Sequence, residues 1–142
     1  MLKTHPHEFM ETFGAVTRKV RALAAERYAA LGVGSTQGKF LRYIARHAPI
    51  SQAELARGTV TDPTLTGRAL EPLIKKGWVR RERSATDKRQ YVVELTPTGA
   101  RVCKQVDAAR DIIAQRLVEA LDARDIEDFT RIAEKILSAL GT

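Results

Sequence analysis

The chain has one cysteine, Cys103, so no disulfide can close within it, which agrees with a reducing compartment. It has no apolar run approaching the length of a membrane span. Its opening residues, Met1-Leu2-Lys3-Thr4-His5-Pro6-His7, lack the apolar centre of a secretion signal. These absences predict a cytoplasmic protein with no membrane partner. Catalytic signatures are missing as well: there is no glycine-rich phosphate loop, no His-Glu-x-x-His and no nucleophile elbow. The expectation is a protein that is not an enzyme and carries no cofactor or metal. His5 and His7, near Glu8 and Glu11, read as a loose amino terminus, and His47 reads as a helix-ending residue suited to the helix dipole.

What is present is positive charge in one place. Of the net +7, residues 1–36 contribute +2, residues 37–91 contribute +7 with twelve basic against five acidic side chains, and residues 92–142 contribute −2. A field confined to one stretch suits counterion release from a phosphate backbone better than it suits general solubility. At 142 residues with 44% hydrophobic content, the chain is one domain or one compact intertwined subunit.

The basic stretch also carries the clearest local signals. Ser51-Gln52-Ala53-Glu54 has capping-box spacing and predicts a short helix with Leu55 and Ala56 inward, ending near Gly58, where glycine permits positive φ. Asp62 as N-cap and Pro63 at the first helical position start a second helix at once. In it Leu65, Ala69, Leu70, Leu73 and Ile74 are expected inward, and Thr64, Gly67, Arg68, Glu71 and Lys75 outward, with Pro72 bending or loosening the helix. Two short helices joined by a tight turn form a helix-turn-helix frame. Small residues let such a helix sit deep in a major groove, hydroxyls bond bases or phosphates, and an arginine can pair with guanine, so Thr64, Thr66, Gly67 and Arg68 are the candidate readers.

Beyond Gly77, the runs Trp78–Arg83 and Tyr91–Leu95 favour strand, and the polar Ser84–Gln90 between them makes a charged hairpin tip. Arg89 is assigned to minor-groove insertion, Asp87 to bracing the local guanidinium groups and Lys88 to phosphate. Ser51, Gln52, Lys75 and Arg83 are further candidates for the DNA backbone.

In order, Leu55-Ala56, Asp62, Thr64, Arg68, Leu73, Lys76-Gly77-Trp78-Val79, Asp87-Lys88-Arg89 and Leu95-Thr96-Pro97-Thr98-Gly99 resemble the MarR family of bacterial transcriptional regulators. The most specific part is Asp-x-Arg followed closely by Leu-Thr-x-x-Gly, and the resemblance extends over nearly the whole chain. It implies that Arg68 is a recognition-helix arginine and that Asp87 with Arg89 is a wing-tip pair. It also implies a repressor whose signal is often a small, frequently aromatic, molecule held between dimer helices and DNA lobe.

The flanks predict helices that want a partner. From Glu8 to about Leu31, the residues Phe9, Phe13, Val16, Val20 and Leu23 form a nearly heptad stripe, widened by Ala24, Tyr28 and Leu31. Ser35 or Thr36 caps a helix that places Phe40, Leu41 and Ile44 inward and closes at Pro49. Thr96 and Pro97 open a long helix to about Leu121, striped by Val102, Val106, Ala109, Ile113, Leu117 and Leu121. Asp125 caps a last helix with Ile126, Phe129, Ile132, Ala133, Ile136, Leu137 and Leu140 on its apolar face.

The expected fold is mainly α with a small β-hairpin wing: a winged helix-turn-helix lobe over 35–96 and a dimerisation region over 1–34 and 97–142, in a single domain. Phe9, Phe13, Val16, Ile126, Phe129, Ile136 and Leu140 are the dimerisation candidates, because monomers seldom expose apolar faces so broad. A two-fold dimer predicts an inverted-repeat operator in double-stranded DNA, with half-sites about 34 Å apart. Two alternatives stand beside this reading. One is a redox- or metal-responsive switch of the same fold acting through Cys103 or the N-terminal histidines. The other is a winged-helix module that binds protein instead of DNA.

Overall fold

A computed structural model describes residues 5–141. In chain order the elements are α1 (Pro6–Ala30), α2 (Ser35–His47), β1 (Ile50–Ser51), α3 (Gln52–Gly58), α4 (Pro63–Lys75), β2 (Val79–Arg83), β3 (Tyr91–Leu95), α5 (Pro97–Glu119) and α6 (Ala123–Leu140). The fold is mainly helical with one small antiparallel sheet, ordered β1-β3-β2. The chain divides into two compact units, Met1–Ala109 and Arg110–Thr142, with α5 running through both.

In the first unit the core is built from Phe40, Leu41 and Ile44 of α2, Leu55 of α3, Leu70 and Leu73 of α4, Val79 and Val93 of the sheet, and Cys103 and Val106 of α5. Burial of these apolar side chains is the main stabilising contribution, at about 1.5–3 kcal/mol for each Phe, Leu, Ile or Val. Only the end of α1 joins in. Tyr28 is buried there, whereas Phe9, Met10, Phe13 and Val16 stay exposed.

Three helices of this unit end alike. After α1, Gly32 N–H bonds to the Ala29 carbonyl and Val33 N–H to that of Tyr28; after α4, Gly77 and Trp78 bond to Ile74 and Leu73 in the same way. Both glycines have positive φ, as this Schellman closure requires. After α3 the pattern repeats with Val60 N–H on Arg57 and Thr61 N–H on Ala56, so the left-handed residue is Val60, at φ 50°. The expected positive φ at Gly58 is therefore displaced by two residues. Gly58 is small for a different reason, since a Cβ there would collide with the Tyr43 ring.

Other boundaries also shift. Gly34, not Ser35 or Thr36, is the N-cap of α2, and the Gln37 side chain accepts its N–H at 3.0 Å. Ile50–Ser51, unforeseen as a strand, pairs with Val93 and Val92 and makes the hairpin three-stranded. Trp78 precedes β2 instead of opening it. The helix α4 runs on through Pro72, whose ring is exposed. Thr96 opens α5 as expected: its hydroxyl accepts from Gly99 N–H at 3.0 Å and donates to the Gly77 carbonyl.

In the second unit Asp122, three residues before the expected Asp125, is the N-cap of α6. Its carboxylate accepts from Asp125 N–H at 2.8 Å while the Asp125 carboxylate accepts from Asp122 N–H at 3.0 Å. None of the described residues of α6 is fully buried: Ile126, Ala133 and Ile136 are half-buried, and Phe129, Leu137 and Leu140 are exposed.

Candidate nucleic-acid interface

The helix pair is set by its caps. Ser51 Oγ accepts from Glu54 N–H at 3.1 Å to start α3, and Asp62 Oδ1 accepts from Thr64 and Leu65 N–H at 2.8 and 3.2 Å to start α4. The turn between them is clasped from α2, because Lys39 Nζ donates to the Thr59 carbonyl at 3.4 Å and to the Thr61 hydroxyl at 3.3 Å. A cation on the last carbonyls of α3 also suits the negative end of its dipole.

On α4, Thr64, Arg68, Glu71 and Lys75 face outward as the helical period requires, and Gly67 is half-buried. Two neighbours reverse the expectation. Thr66 is fully buried, its hydroxyl donating to the Asp62 carbonyl at 2.9 Å, so it leaves the list of groove readers. Leu65, expected in the core, is 56% exposed. A threonine that returns its hydroxyl to the preceding turn carries no unsatisfied polar group inward, which is why hydrophobicity alone misassigns the pair.

Gly67 leaves room for Gln52 of α3, whose Nε2 would stand 3.2 Å from a Cβ placed on it. Gln52 Oε1 is buried without a hydrogen-bond partner among the described residues. Beside it a concavity of about 200 Å³ lies between Pro63, Gln52 and the wing residues Arg89 and Tyr91. Ser51 is buried and its hydroxyl is occupied by the cap, so of the two only Gln52 retains exposed surface.

The wing changes character along its length. Register pairs Val79 with Leu95, Arg81 with Val93 and Arg83 with Tyr91, so these six share one face. Near the core that face is apolar; toward the tip it becomes arginine on tyrosine. The guanidinium carbons of Arg81 and Arg83 lie 4.8 and 4.7 Å from the Tyr91 ring centroid. Arg83 also donates to the Lys88 carbonyl at 2.7 Å and to the Tyr91 hydroxyl at 3.2 Å. It is thereby committed to holding the tip, and the phosphate role expected of it is already occupied by the wing itself. At the tip Asp87 Oδ1 accepts from Arg89 N–H at 3.1 Å and from its Nε at 3.3 Å. Asp87 thus braces Arg89 and not Arg83, while the Arg89 side chain is 91% exposed and Lys88 is exposed too.

Of the twelve basic side chains of 37–91, seven are engaged within the described residues. Lys39 clasps the turn, and Lys76 donates to the Gly32 carbonyl and lies over Trp78. Arg42, Arg80, Arg81 and Arg89 pair with Asp107, Glu94, Glu71 and Asp87, and Arg83 holds the tip. Arg46, Arg57, Arg68, Lys75 and Lys88 are exposed and make no ion pair among the described residues. Arg57, at the end of α3, was not among the expected contacts. The signal for it was weak, a lone basic residue just before the turn.

Cys103 stands apart from this surface. It is buried, and its thiol pKa is raised first by desolvation and then by Asp107, against the opposing pull of Arg42 and Arg46. A thiol held protonated is poorly nucleophilic. His5 and His7 are exposed, and no cluster of three or more metal-ligating side chains occurs among the described residues.

Residues 31–90 match the model of the MarR family. Over 123 residues the chain is 31% identical to the multiple antibiotic resistance protein MarR of Salmonella typhimurium, covering 86% of this chain and 85% of that one. The chain belongs to the MarR family. An uncharacterized HTH-type transcriptional regulator of Bacillus subtilis, YwhA, is similar at 26% identity over 73% of this chain and 75% of its own. Among solved structures, a mutant Escherichia coli MarR complexed with operator DNA superimposes with a TM-score of 0.83 at 29% identity, covering 92% of this chain and 94% of that chain. The winged helix-turn-helix architecture of this MarR-family chain is therefore that of its relatives. No described helix is long and apolar enough to cross a membrane.

Proposed function

We propose that this MarR-family protein is a transcriptional regulator that acts in the cytoplasm as a homodimeric repressor on an inverted-repeat operator in double-stranded DNA. The observation that carries this reading is the grouping of unpaired Arg68 and Lys75 with Thr64 on the outer face of α4, beside a wing that projects Arg89. The operator-bound relative at 29% identity supports it. Arg68 reads a base edge, Arg89 enters the neighbouring minor groove, and Gln52, Lys75, Lys88 and Arg57 meet phosphates. A second copy covers the apolar faces left open on α1 (Phe9, Phe13, Val16) and on α6 (Ile126, Phe129, Ile136, Leu140). Residues 35–96 form the DNA-binding lobe of each subunit. A small molecule that changes the spacing or tilt of the two lobes releases the operator.

The test is sedimentation of the purified protein together with anisotropy titration of promoter fragments from its own genome. A dimer is expected, binding selected fragments with a steep salt dependence. For roughly six to ten phosphate contacts the slope of log K against log salt is about −5 to −9. A monomer that ignores duplex DNA even in dilute buffer would overturn the proposal.

A further inference from the structure

We propose that Leu65 is a specificity-determining residue that recognises the 5-methyl group of a thymine in each operator half-site, a role that rests on the DNA-binding reading above. Leu65 is the third residue of α4 and is 56% exposed, while its neighbour Thr66 occupies the buried position. Placing the leucine outside and the threonine inside gives up apolar burial that the reverse order would have gained. Nothing in the lobe recovers it: Leu65 is absent from the core and from the side chains packed against that core. The side chains around it on the surface are those of a groove reader. Arg68 follows three residues later, so the two are adjacent on the helix surface, and Thr64 precedes it.

The first turns of a recognition helix are the part that reaches base edges. In the major groove the thymine methyl is the one apolar group presented, and apolar side chains discriminate by touching it. A branched leucine at this position fits that group and has nothing to offer a donor or acceptor. Its adjacency to Arg68 sets the register: the thymine lies within a base pair or two of the guanine taken by the arginine.

The experiment replaces thymine by deoxyuridine, which removes only the methyl, one position at a time across the bound operator, and measures affinity for the native protein, Leu65→Ala and Leu65→Met. For the native protein one position per half-site is expected to cost about three- to fivefold, and on the order of tenfold when both half-sites are altered. Leu65→Ala should bind thymine and uracil operators nearly equally, while Leu65→Met keeps the discrimination. Native binding indifferent to every methyl, or discrimination that persists in Leu65→Ala, would overturn the assignment while leaving DNA binding intact. So would a Leu65→Ala protein whose only change is in self-association, since Leu65 would then serve a protein contact. Failure to bind any duplex would overturn this inference together with the DNA-binding reading.

Discussion

Arg81 donates to Glu71 across 2.8 Å, tying β2, the first strand of the hairpin, to α4. The pair joins the two parts that would have to meet adjacent grooves, so its value lies in their relative aim more than in stability. Glu71 is 60% exposed, and such pairs contribute about 0.2–1 kcal/mol. A double-mutant cycle of Glu71→Gln and Arg81→Gln, read by urea denaturation, should give a coupling in that range that fades as salt rises. A coupling of several kcal/mol, or one insensitive to salt, would mean that the contact is buried in solution.

Val60 holds the position that glycine holds in the two sibling closures at Gly32 and Gly77. A β-branched residue in the left-handed region costs about 1–2 kcal/mol, and glycine would return part of that as unfolded-chain entropy, about 0.5–1 kcal/mol. Val60→Gly should therefore stabilise the lobe by roughly 0.5–1 kcal/mol in denaturant titrations. Its side chain is 92% exposed, so no core packing is lost in exchange. A destabilised variant would show that the unfolded-chain entropy glycine adds exceeds the strain it relieves.

Gly99 marks where α5 crosses the chain entering β2. A Cβ there would run into the Trp78 carbonyl oxygen, while Thr96 N–H bonds the same carbonyl at 3.0 Å. Because the obstacle is backbone, Gly99→Ala must move the helix or break that junction, and a loss of about 1–3 kcal/mol is expected in thermal or urea unfolding. An unchanged midpoint would mean that the helix start shifts freely.

Much of this architecture is legible in the amino-acid sequence. Caps announced the starts of α3, α4 and α5, because Ser51, Asp62 and Thr96 each have a side chain that can satisfy free N–H groups. The failures have two causes: some turn on which of several nearby side chains closes a local hydrogen bond, and one on a partner far away in sequence. Gly34 caps α2 only because Gln37 folds back, and Asp122 and Asp125 are both acceptable caps until the register of α6 is fixed. The two-residue strand Ile50–Ser51 exists only through its pairing with β3. Of the proposed contacts, exposure supports Arg68, Lys75, Lys88 and Arg89, whereas Thr66 and Ser51 have their hydroxyls engaged inside. Hydrophobic period could not anticipate the exchange of Leu65 and Thr66, since it ranks residues by polarity and ignores a hydroxyl satisfied by its own helix.

Cys103 is expected to behave as a structural thiol. Burial raises its pKa above the ordinary 9.0, so the folded protein holds the proton more tightly than the unfolded chain does. The resulting stability is fully present below the unfolded value and is lost as pH rises through the folded one, so any contribution disappears only in the alkaline range above pH 9. Alkylation of the native protein near neutral pH should be slow and should accelerate on unfolding. Operator binding that is lost with peroxide in the native protein but retained in Cys103→Ser would instead assign it a sensing role.

Asp87 and Arg89 at the wing tip permit a separation of charge from geometry. Arg89→Ala should weaken operator binding by about 1–3 kcal/mol, most on A·T-rich flanks, where a narrow minor groove concentrates negative potential. Asp87 acts on that arginine through two bonds from one oxygen, to the backbone N–H at 3.1 Å and to Nε at 3.3 Å. Asp87→Asn keeps an oxygen for the backbone bond and removes a negative charge from beside the phosphates. Asp87→Ala removes both. If the turn positions Arg89, the asparagine variant should bind at least as well as the native protein at low salt and the alanine variant less well. If the two variants weaken binding equally, the carboxylate's charge on the guanidinium, and not the turn, is what aims Arg89 at the groove.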